Sequence, residues 1–316
     1  MAVWHELYIL MIMKTLLKSF WLLSILFLLF LGSLARASEP EPVLLYDTVS
    51  GRQVSLAELG QRLTGYDVVL FGEYHDDNRL HRLEAAVLAS AYARNPQLTV
   101  SLEMFEQDIQ PELDRYLAGE ITEIAFLASA RPWNNYSSAY RPLVELAKEK
   151  GLRVIAANIP RSVAAQYARQ GLLDGVSESM RPYLPAVHLY PDGEYKQRFF
   201  TQLQAMPAKN SGMKVAPEKM EAFYRAQCLK DDAMAESIVR YCRQNPGRKV
   251  VHYQGDFHSR FRLGVAEKLQ ELEPAIKILV IAPAYVDDFT DLPDKVKRLQ
   301  ADSDIIAFLP SPPDKI

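Results

Sequence analysis

A four-residue signature occurs twice in this chain, each time just after a largely apolar run. Gly-Glu-Tyr-His occupies residues 72–75 and follows residues 68–71, whereas Gly-Asp-Phe-His occupies residues 255–258 and closely follows residues 250–253. Short Val-rich runs that end at glycine predict buried strands followed by a sharp turn. Each strand therefore delivers one carboxylate and one imidazole to its end. Although the two copies are far apart in the sequence, we expect them to meet in space.

The rest of the chain alternates predicted strands with amphipathic helices. Strands are predicted at residues 43–46, 98–103, 153–157, 276–281 and 305–309, and a long helix at about 218–244. This alternation indicates right-handed crossovers and an α/β fold with a mostly parallel central sheet, flanked by helices on both faces. Prolines and tyrosines interrupt the pattern at about residues 175–217. We interpret that segment as a helical or irregular insertion that acts as a lid on a single domain, residues 38–316.

The first 37 residues have the form of a secretory signal peptide. Lys14 and Lys18 precede the apolar stretch 20–31, and Ala-Arg-Ala at residues 35–37 matches the small-X-small pattern that signal peptidase recognises. Translation from Met13 would give a signal of ordinary form, and a retained membrane anchor is the alternative. We therefore expect transient contact with the export machinery and signal peptidase, and a periplasmic or otherwise exported mature protein.

The charge and the cysteines of the chain limit the kinds of partner and covalent attachment that we expect. The chain has 36 basic and 39 acidic residues, and the predicted signal peptide holds three of the basic residues and one of the acidic ones. The mature chain would be acidic, so nucleic acid is not an expected partner. Cys228 and Cys242 lie in one predicted helix, about 21 Å apart along its axis, too far for a disulfide. We expect packing thiols, with intermolecular pairing as the alternative, and no lipid anchor, because no cysteine lies near the predicted cleavage site.

Polar side chains gather where the predicted strands end. In a parallel α/β sheet the functional crevice lies beyond these carboxyl ends. The residues expected there are Glu73, His75, Glu103, Glu106, Asn158, Asp256 and His258. Nitrogen and oxygen ligands of this kind suit a divalent metal such as Zn or Mn, with a carboxylate as general base. The predicted metal ligands, which would also be the catalytic residues of a hydrolase, are Glu73, His75, Glu103 and His258.

Metal-free binding of polar ligand groups is the alternative for this rim. His81, on the helix that follows His75, is expected to face another way and to have a structural role. On the long predicted helix, Gln227 and Asp231 interrupt an apolar stripe that includes Phe223. A buried carboxylate costs several kcal/mol unless it is paired, so Asp231 should meet a cation, a metal or several donors. Supporting roles are predicted for Asn158, Gln227, Asp231 and Asp256, with helix capping as the alternative for Asn158.

A series of short motifs extends this pattern along the chain. They comprise residues 45–47, 72–76, 102–105, Trp133, 140–143, 158–160, 226–227, Asp231, 234–235 and 255–258. In this order and spacing they resemble the ChaN-like haem-binding family, part of a superfamily that also includes Tiki-type proteases and erythromycin esterases. The resemblance covers nearly the whole predicted mature chain.

The resemblance implies a homodimer that holds haem in a pocket shared between protomers. A tyrosine would ligate the iron, and histidine and lysine of the partner would hold the propionates. The candidates in this chain lie in the predicted insertion and are His188, Tyr190, Tyr195 and Lys196. We therefore expect an exported haem-binding protein of iron uptake or haem handling. The alternatives are a metal-dependent hydrolase of peptide, ester or amide bonds, which leaves enzymatic activity open, and a scaffold that binds neither ligand.

Overall fold

Eight strands form one sheet in the computed structural model, which describes residues 43–205 and 216–312. The strands are β1 (Leu44–Asp47), β2 (Gln53–Val54), β3 (Val68–Glu73), β4 (Leu98–Glu106), β5 (Arg153–Asn158), β6 (Lys249–Gly255), β7 (Ile278–Val286) and β8 (Ile305–Pro310). Their order across the sheet is β2-β1-β8-β7-β3-β6-β4-β5. Strands β3 to β8 are parallel, whereas β1 pairs antiparallel with β8 and β2. The predicted α/β class is confirmed.

Helices cover both faces of this sheet. They are α1 (Leu56–Leu63), α2 (Asn78–Arg94), α3 (Gln110–Leu117), α4 (Glu123–Ala130), α5 (Tyr136–Ala139), α6 (Arg141–Lys150), α7 (Arg161–Gln170), α8 (Glu194–Ala205), α9 (Pro217–Gln244), α10 (Val265–Leu272) and α11 (Leu292–Leu299). Among the helices described, none has the length and apolarity needed to cross a membrane. The predicted signal peptide and the alternative start at Met13 lie outside the described residues.

Alternation along the central strands divides the core into two layers. In β3, which is buried throughout, Val69 and Phe71 pack with α2 and α6, whereas Val68 and Leu70 pack against α9 and α10. Neighbouring side chains of a strand point to opposite faces, so every apolar residue of such a strand finds a covered layer. By the same alternation Glu73 belongs to the α2 layer. The continuous apolar runs in the sequence reflect this two-sided burial.

The long predicted helix is present as α9, but one residue of its apolar stripe was wrongly placed. Phe223 is 48% exposed, whereas Asp231 is fully buried. Cys228 and Cys242 both lie in α9 as free thiols, as expected. The buried face of this helix therefore includes Tyr224, Cys228 and Asp231 and leaves Phe223 outside it.

The described part of the predicted insertion is mostly irregular and ends in α8. Tyr195, at the start of α8, is 2% exposed and stacks on Phe257, with 5.1 Å between ring centroids. Phe199, one turn later, packs edge-on against the same ring. Because Phe257 belongs to the second signature, α8 lies directly over the carboxyl edge of β6, as a lid would.

The two signatures interlock through their glycines. A Cβ on Gly72 would lie 2.8 Å from Oδ1 and 2.9 Å from Cα of Asp256. A Cβ on Gly255 would lie 2.8 Å from Cε1 of His75. Each glycine therefore gives room to a residue of the other copy. This reciprocal contact joins the ends of β3 and β6, where Glu73 pairs in register with Gly255.

We expect Gly72→Ala to destabilise the fold by about 1–3 kcal/mol, because the added methyl meets backbone that cannot move aside. Gly193→Ala is the matched control, since nothing lies within 4 Å of a Cβ there. The measurement is the urea midpoint of each variant. Equal midpoints for the two variants would contradict the interlocked packing.

Candidate functional site

The carboxylate of the first signature is held from several sides at the end of β3. Oε1 of Glu73 lies 2.6 Å from Nδ1 of His75 and accepts a 2.7 Å hydrogen bond from the hydroxyl of Tyr140. Burial alone would raise the pKa of Glu73, but hydrogen bonds from His75 and His81 outweigh it and lower the pKa to about 2. Glu73 is therefore ionised and fixes the imidazole of His75.

His75 is the half-exposed member of this group. Its side chain is 42% exposed, and the edge of Trp133 packs against it with 4.9 Å between centroids. Burial opposes protonation, but Glu73 and the charge of Glu103 raise the pKa of His75. With Nδ1 tied to Glu73, Nε2 has no hydrogen-bond partner among the described residues. An imidazole oriented in this way can ligate a metal or transfer a proton.

His81 does not face away from the site, and that expectation is wrong. Its Nδ1 lies 3.1 Å from Oε2 of Glu73 and 3.2 Å from Oε2 of Glu84, and its Nε2 lies 3.1 Å from the backbone oxygen of His75. Burial lowers the pKa of His81, but the two carboxylates raise it to about 10. Burial and the charge of Glu73 raise the pKa of Glu84. His81 is thus a buried cation beneath the first signature.

The second signature builds a separate ion-pair network on the α9 side of the sheet. Nδ1 of His258 lies 2.5 Å from Oδ1 of Asp231, and Nε2 lies 3.3 Å from Oε1 of Glu103. Burial lowers the pKa of His258, but the charges of Glu103 and Asp231 raise it to about 10. Asp231 also accepts a 2.7 Å hydrogen bond from the hydroxyl of Tyr195. The buried carboxylate thus meets both a cation and a donor, as its sequence position required.

The remaining supporting residues brace these groups. The side-chain amide of Gln227 lies 3.1 Å from Nδ1 of His258, and that of Asn158 donates to the backbone oxygen of Glu103. The amide of Gly255 donates to Oε2 of Glu103 at 2.7 Å. Asp256 accepts a 2.5 Å hydrogen bond from Arg260, and burial raises the pKa of Asp256 to about 6. Asn158 therefore acts on the site through the β4 backbone.

Three of the four predicted rim residues, Glu73, His75 and His258, line one hollow, and Glu103 lies 3.3 Å from Nε2 of His258 without lining it. Both imidazoles approach the position that a Cβ on Gly255 would take, with Nε2 of His75 at 2.9 Å and Cδ2 of His258 at 3.6 Å. A cavity of about 820 Å³ opens here, lined by Glu73, His75, Gln227, His258 and aromatic residues such as Phe199. A second cavity of about 990 Å³ runs beneath α8 and shares Tyr74, Asp256 and Phe257 with the first. We call the two together the rim cleft.

The polar groups of the predicted haem-binding residues in the insertion have different partners. Tyr195 lines the rim cleft, but its hydroxyl donates to Asp231. Tyr190 donates to Glu221, which also pairs with Lys196 at 2.7 Å. The two ring nitrogens of His188 lie 2.5 Å from Asp232 and 2.9 Å from the hydroxyl of Tyr167. Within the described protomer these residues therefore belong to three separate networks.

The group best placed for a metal differs from the predicted set. Among the described residues, one ligand atom from each of Glu73, His81 and Glu84 lies within 4.8 Å of the others, and all three side chains are buried. His258 has a carboxylate at each ring nitrogen, and His81 lies within ion-pair distance of two carboxylates, so each imidazole would have to lose its proton before it could ligate a metal. In this geometry His258 is an ion-pair partner.

Sequence reasoning missed Glu84 and Tyr140 as site residues. Glu84 stands three residues after His81, so both lie on one face of α2, between the buried residues Leu80 and Leu88. Polar residues on an apolar helix face are the signal that could have found them. Tyr140 was part of a recognised motif, but nothing in the sequence indicated its contact with Glu73.

A mostly parallel α/β sheet with two acid-histidine signatures at its carboxyl edge defines the class of this protein. A family model described as haem-binding uptake, Tiki superfamily, ChaN matches residues 59–269. The chain belongs to that family, and the predicted resemblance is confirmed. No curated protein matches the chain.

Several solved structures are similar to this chain, and the first of these shows the same fold. ChaN of Campylobacter jejuni, described with cofacial heme binding, is 19% identical, with 85% of this chain and 97% of that chain covered and a TM-score of 0.62. An erythromycin esterase mutant in its open conformation is 14% identical, with 76% and 77% covered and a TM-score of 0.46. A Bacillus cereus protein is 14% identical, with 81% and 92% covered and a TM-score of 0.47.

The His258 network predicts a loss of stability in mild alkali. Its folded pKa of about 10 lies above the unfolded value of 6.5, so the stabilisation is complete below pH 6.5 and lost as the pH rises through 10. We expect the unfolding free energy to fall across this window by an amount on the order of a few kcal/mol, measured by urea unfolding at several pH values.

His258→Asn should remove the part of this pH dependence that His258 contributes and leave the part from His81, whose pKa the adjacent carboxylates also raise to about 10. His252→Asn is the matched control, because burial lowers the pKa of His252 to about 4 and leaves it neutral throughout the window. If the two variants showed the same slope, the alkaline loss would not come from His258.

Proposed function

We propose that this protein is exported and binds haem in the rim cleft, in the service of haem uptake or handling. The observation that carries the proposal is His75, whose imidazole is fixed at Nδ1 by the buried Glu73 and turns its other nitrogen toward an aromatic cleft. Family membership supports haem as the ligand. The leading segment of signal-peptide form supports export.

The cleft fits a large planar ligand. Ligand pockets commonly enclose about 300–1,000 Å³ with apolar walls and a few polar groups, and each of the two joined cavities falls in that range. Phe199, Phe257 and Phe261 supply aromatic walls. Tyr74, which donates to the backbone oxygen of Pro283 at 3.1 Å, lines both cavities. Shape and apolar surface thus agree with a porphyrin.

His75 is our candidate for the iron-binding group. A carboxylate on the far nitrogen of an imidazole fixes its tautomer and orientation and makes it a more basic ligand. Glu73 has that place here, and Tyr140 and His81 hold Glu73 in turn. Haem, when bound, supplies an iron that accepts an imidazole or a phenolate as axial ligand.

The tyrosine ligation implied by the family resemblance is the competing arrangement. Lys196 lies 5.5 Å from the ring centroid of Tyr190 and pairs with the same Glu221 that accepts its hydroxyl. Burial and the carboxylate of Glu221 raise the pKa of Tyr190, so the phenol would have to give up the proton that Glu221 accepts before it could ligate ferric iron as phenolate. Tyr190 does not line the rim cleft, so this arrangement would use the opposite side of α8 and, as in the resemblance, a second protomer.

Titration with hemin separates the two arrangements. We expect a saturable Soret shift for the mature protein and an affinity at least about tenfold lower for His75→Ala, because the axial ligand is lost. Tyr190→Phe, Tyr195→Phe and His188→Ala should keep the wild-type affinity. Loss of the shift in Tyr190→Phe with retention in His75→Ala would move the haem to the insertion. An unchanged spectrum for the wild type would end the proposal.

A metal-dependent hydrolase is the second candidate function. It is favoured by two imidazoles that both approach Gly255 but have different environments, one with an open nitrogen and one held protonated between two carboxylates. Such a pair can act as general base and general acid. Glu73, His81 and Glu84 offer the nearby ligand set for a divalent ion.

Hydrolysis of a chromogenic ester by protein purified without chelators tests this second function. We expect turnover that Zn or Mn restores after chelation and that falls about a hundredfold in His75→Ala, since general acid–base catalysis contributes factors of this size. Lys150→Ala, a change on the exposed end of α6, controls for contaminating activity. Turnover that persists unchanged in His75→Ala would assign it to another protein.

The resemblance also implies a homodimer, which we retain as a proposal. Sedimentation of the mature protein with and without hemin would measure it.

A further inference from the structure

Two arginines line the part of the rim cleft beneath α8, and their environments differ. Arg260 donates to Asp256 at 2.5 Å, to Asp302 at 2.6 Å and to the backbone oxygen of Pro283. It is enclosed and fully engaged. Arg198 of α8 pairs with Glu194 one turn earlier, at 2.6 Å, and both side chains are solvent-accessible. Of these two arginines, Arg198 is therefore the one that can exchange its partner for an incoming carboxylate.

Arg198 lies flat against an aromatic ring of the cleft wall. Its guanidinium carbon is 3.4 Å from the ring centroid of Phe261. Such stacking leaves the guanidinium edge, with its hydrogen-bond donors, directed outward from the ring. Phe261 also lines the same cavity as Phe257 and Tyr74. An aromatic surface and a cation that can change partners thus stand side by side.

The backbone holds Phe261 in an unfavourable conformation to place this ring. Phe261 has φ 62° and Arg262 has φ 58°, so two successive residues with side chains adopt the left-handed region. The amide of Phe261 donates to the backbone oxygen of Asp302 at 2.8 Å, and Arg262 pairs with Asp304 at 2.5 Å. Strain of this kind persists where the surroundings enforce it, and it concentrates at ligand sites.

We infer that Arg198 and Phe261 form a subsite for a planar aromatic ligand that carries a carboxylate. The ring of the ligand packs on Phe261, and its carboxylate takes the place of Glu194 on Arg198. Because the Arg198–Glu194 pair is exposed to water, exchanging it costs little. A guanidinium binds a carboxylate through two parallel hydrogen bonds, which gives the subsite its selectivity. The inference rests on the proposed function, in which the ligand is haem and the carboxylate is a propionate.

The strained pair of residues provides a matched comparison of variants. Phe261→Gly and Arg262→Gly both relieve a left-handed backbone, so neither should unfold the loop. Only Phe261→Gly removes the ring. We expect its hemin affinity to fall about three- to tenfold, the size of a lost aromatic stacking contact, and that of Arg262→Gly to stay at the wild-type value. Equal affinities for the two variants would overturn the inference.

The role of the ligand's carboxylate is tested by comparing hemin with its dimethyl ester. Arg198→Gln should bind hemin about tenfold more weakly than the wild type, because a charge-assisted bidentate contact is lost. For the dimethyl ester of hemin, which lacks both carboxylates, the variant and the wild type should agree. A similar loss with both probes would show that Arg198 acts only through packing and would overturn the proposed selectivity.

These outcomes are distinguishable from failure of the proposed function. If the wild type gives no saturable Soret shift with hemin, haem binding itself fails and the subsite falls with it. If the wild type binds hemin and His75→Ala does not, whereas the Phe261 and Arg198 variants bind it normally, haem binding stands and the subsite alone is wrong.

Discussion

The site depends on a reciprocal contact between the two signatures, in which the glycine of each makes room for a residue of the other. Gly72 admits Asp256 of the second signature, and Gly255 admits the ring of His75 from the first. A side chain at either position would meet backbone or a ring that is itself fixed. Parallel pairing of β3 with β6 sets Gly255 opposite Glu73, one residue along from Gly72. Because the glycines have no side chains, the two acid-histidine groups can close on one hollow.

Electrostatics then assigns different roles to chemically similar residues. Glu73 and Glu103 are both buried and ionised, but they lie in different helix layers and meet different imidazoles. Each is tolerated because a protonated histidine lies within ion-pair distance, His81 for Glu73 and His258 for Glu103. Those two histidines neutralise the buried carboxylates of Glu73 and Glu103. Of the three histidines described at the rim, His75 is the one that keeps an open nitrogen, which is why the chemistry of the cleft centres on it.

Helix α8, which lies over the carboxyl edge of the sheet, separates two environments. On the cleft side of α8 lie Tyr195, Arg198 and the strained Phe261, and on its other side Lys196 meets Tyr190. Cleft and tyrosine surface share one aromatic cluster, in which Tyr224 contacts both Tyr190 and Tyr195. A ligand on either side of α8 would therefore contact the same aromatic cluster. The position of α8 decides which tyrosines face the cleft.

Local sequence was enough for the elements and for the outline of the site. Apolar runs ending in glycine located β3 and β6, and the boundaries of α9 followed from its periodicity, because burial on a strand or helix leaves a pattern within a few neighbouring residues. The same logic placed Glu73, His75, Glu103 and His258 at one edge, since parallel strands share the direction of their ends.

Contacts between distant segments could not be found in this way. Nothing near His81 in the sequence indicates that it turns toward Glu73, and nothing near Phe261 indicates the guanidinium of Arg198 above it. The protonation states likewise follow from pairs far apart in the chain, such as Asp231 with His258. The sequence by itself determined the strands, the helices and the residues at their ends, because these follow from short-range periodicity. Only the tertiary structure decided which imidazole is neutralised and which stays open, because burial and charge pairing depend on three-dimensional neighbours.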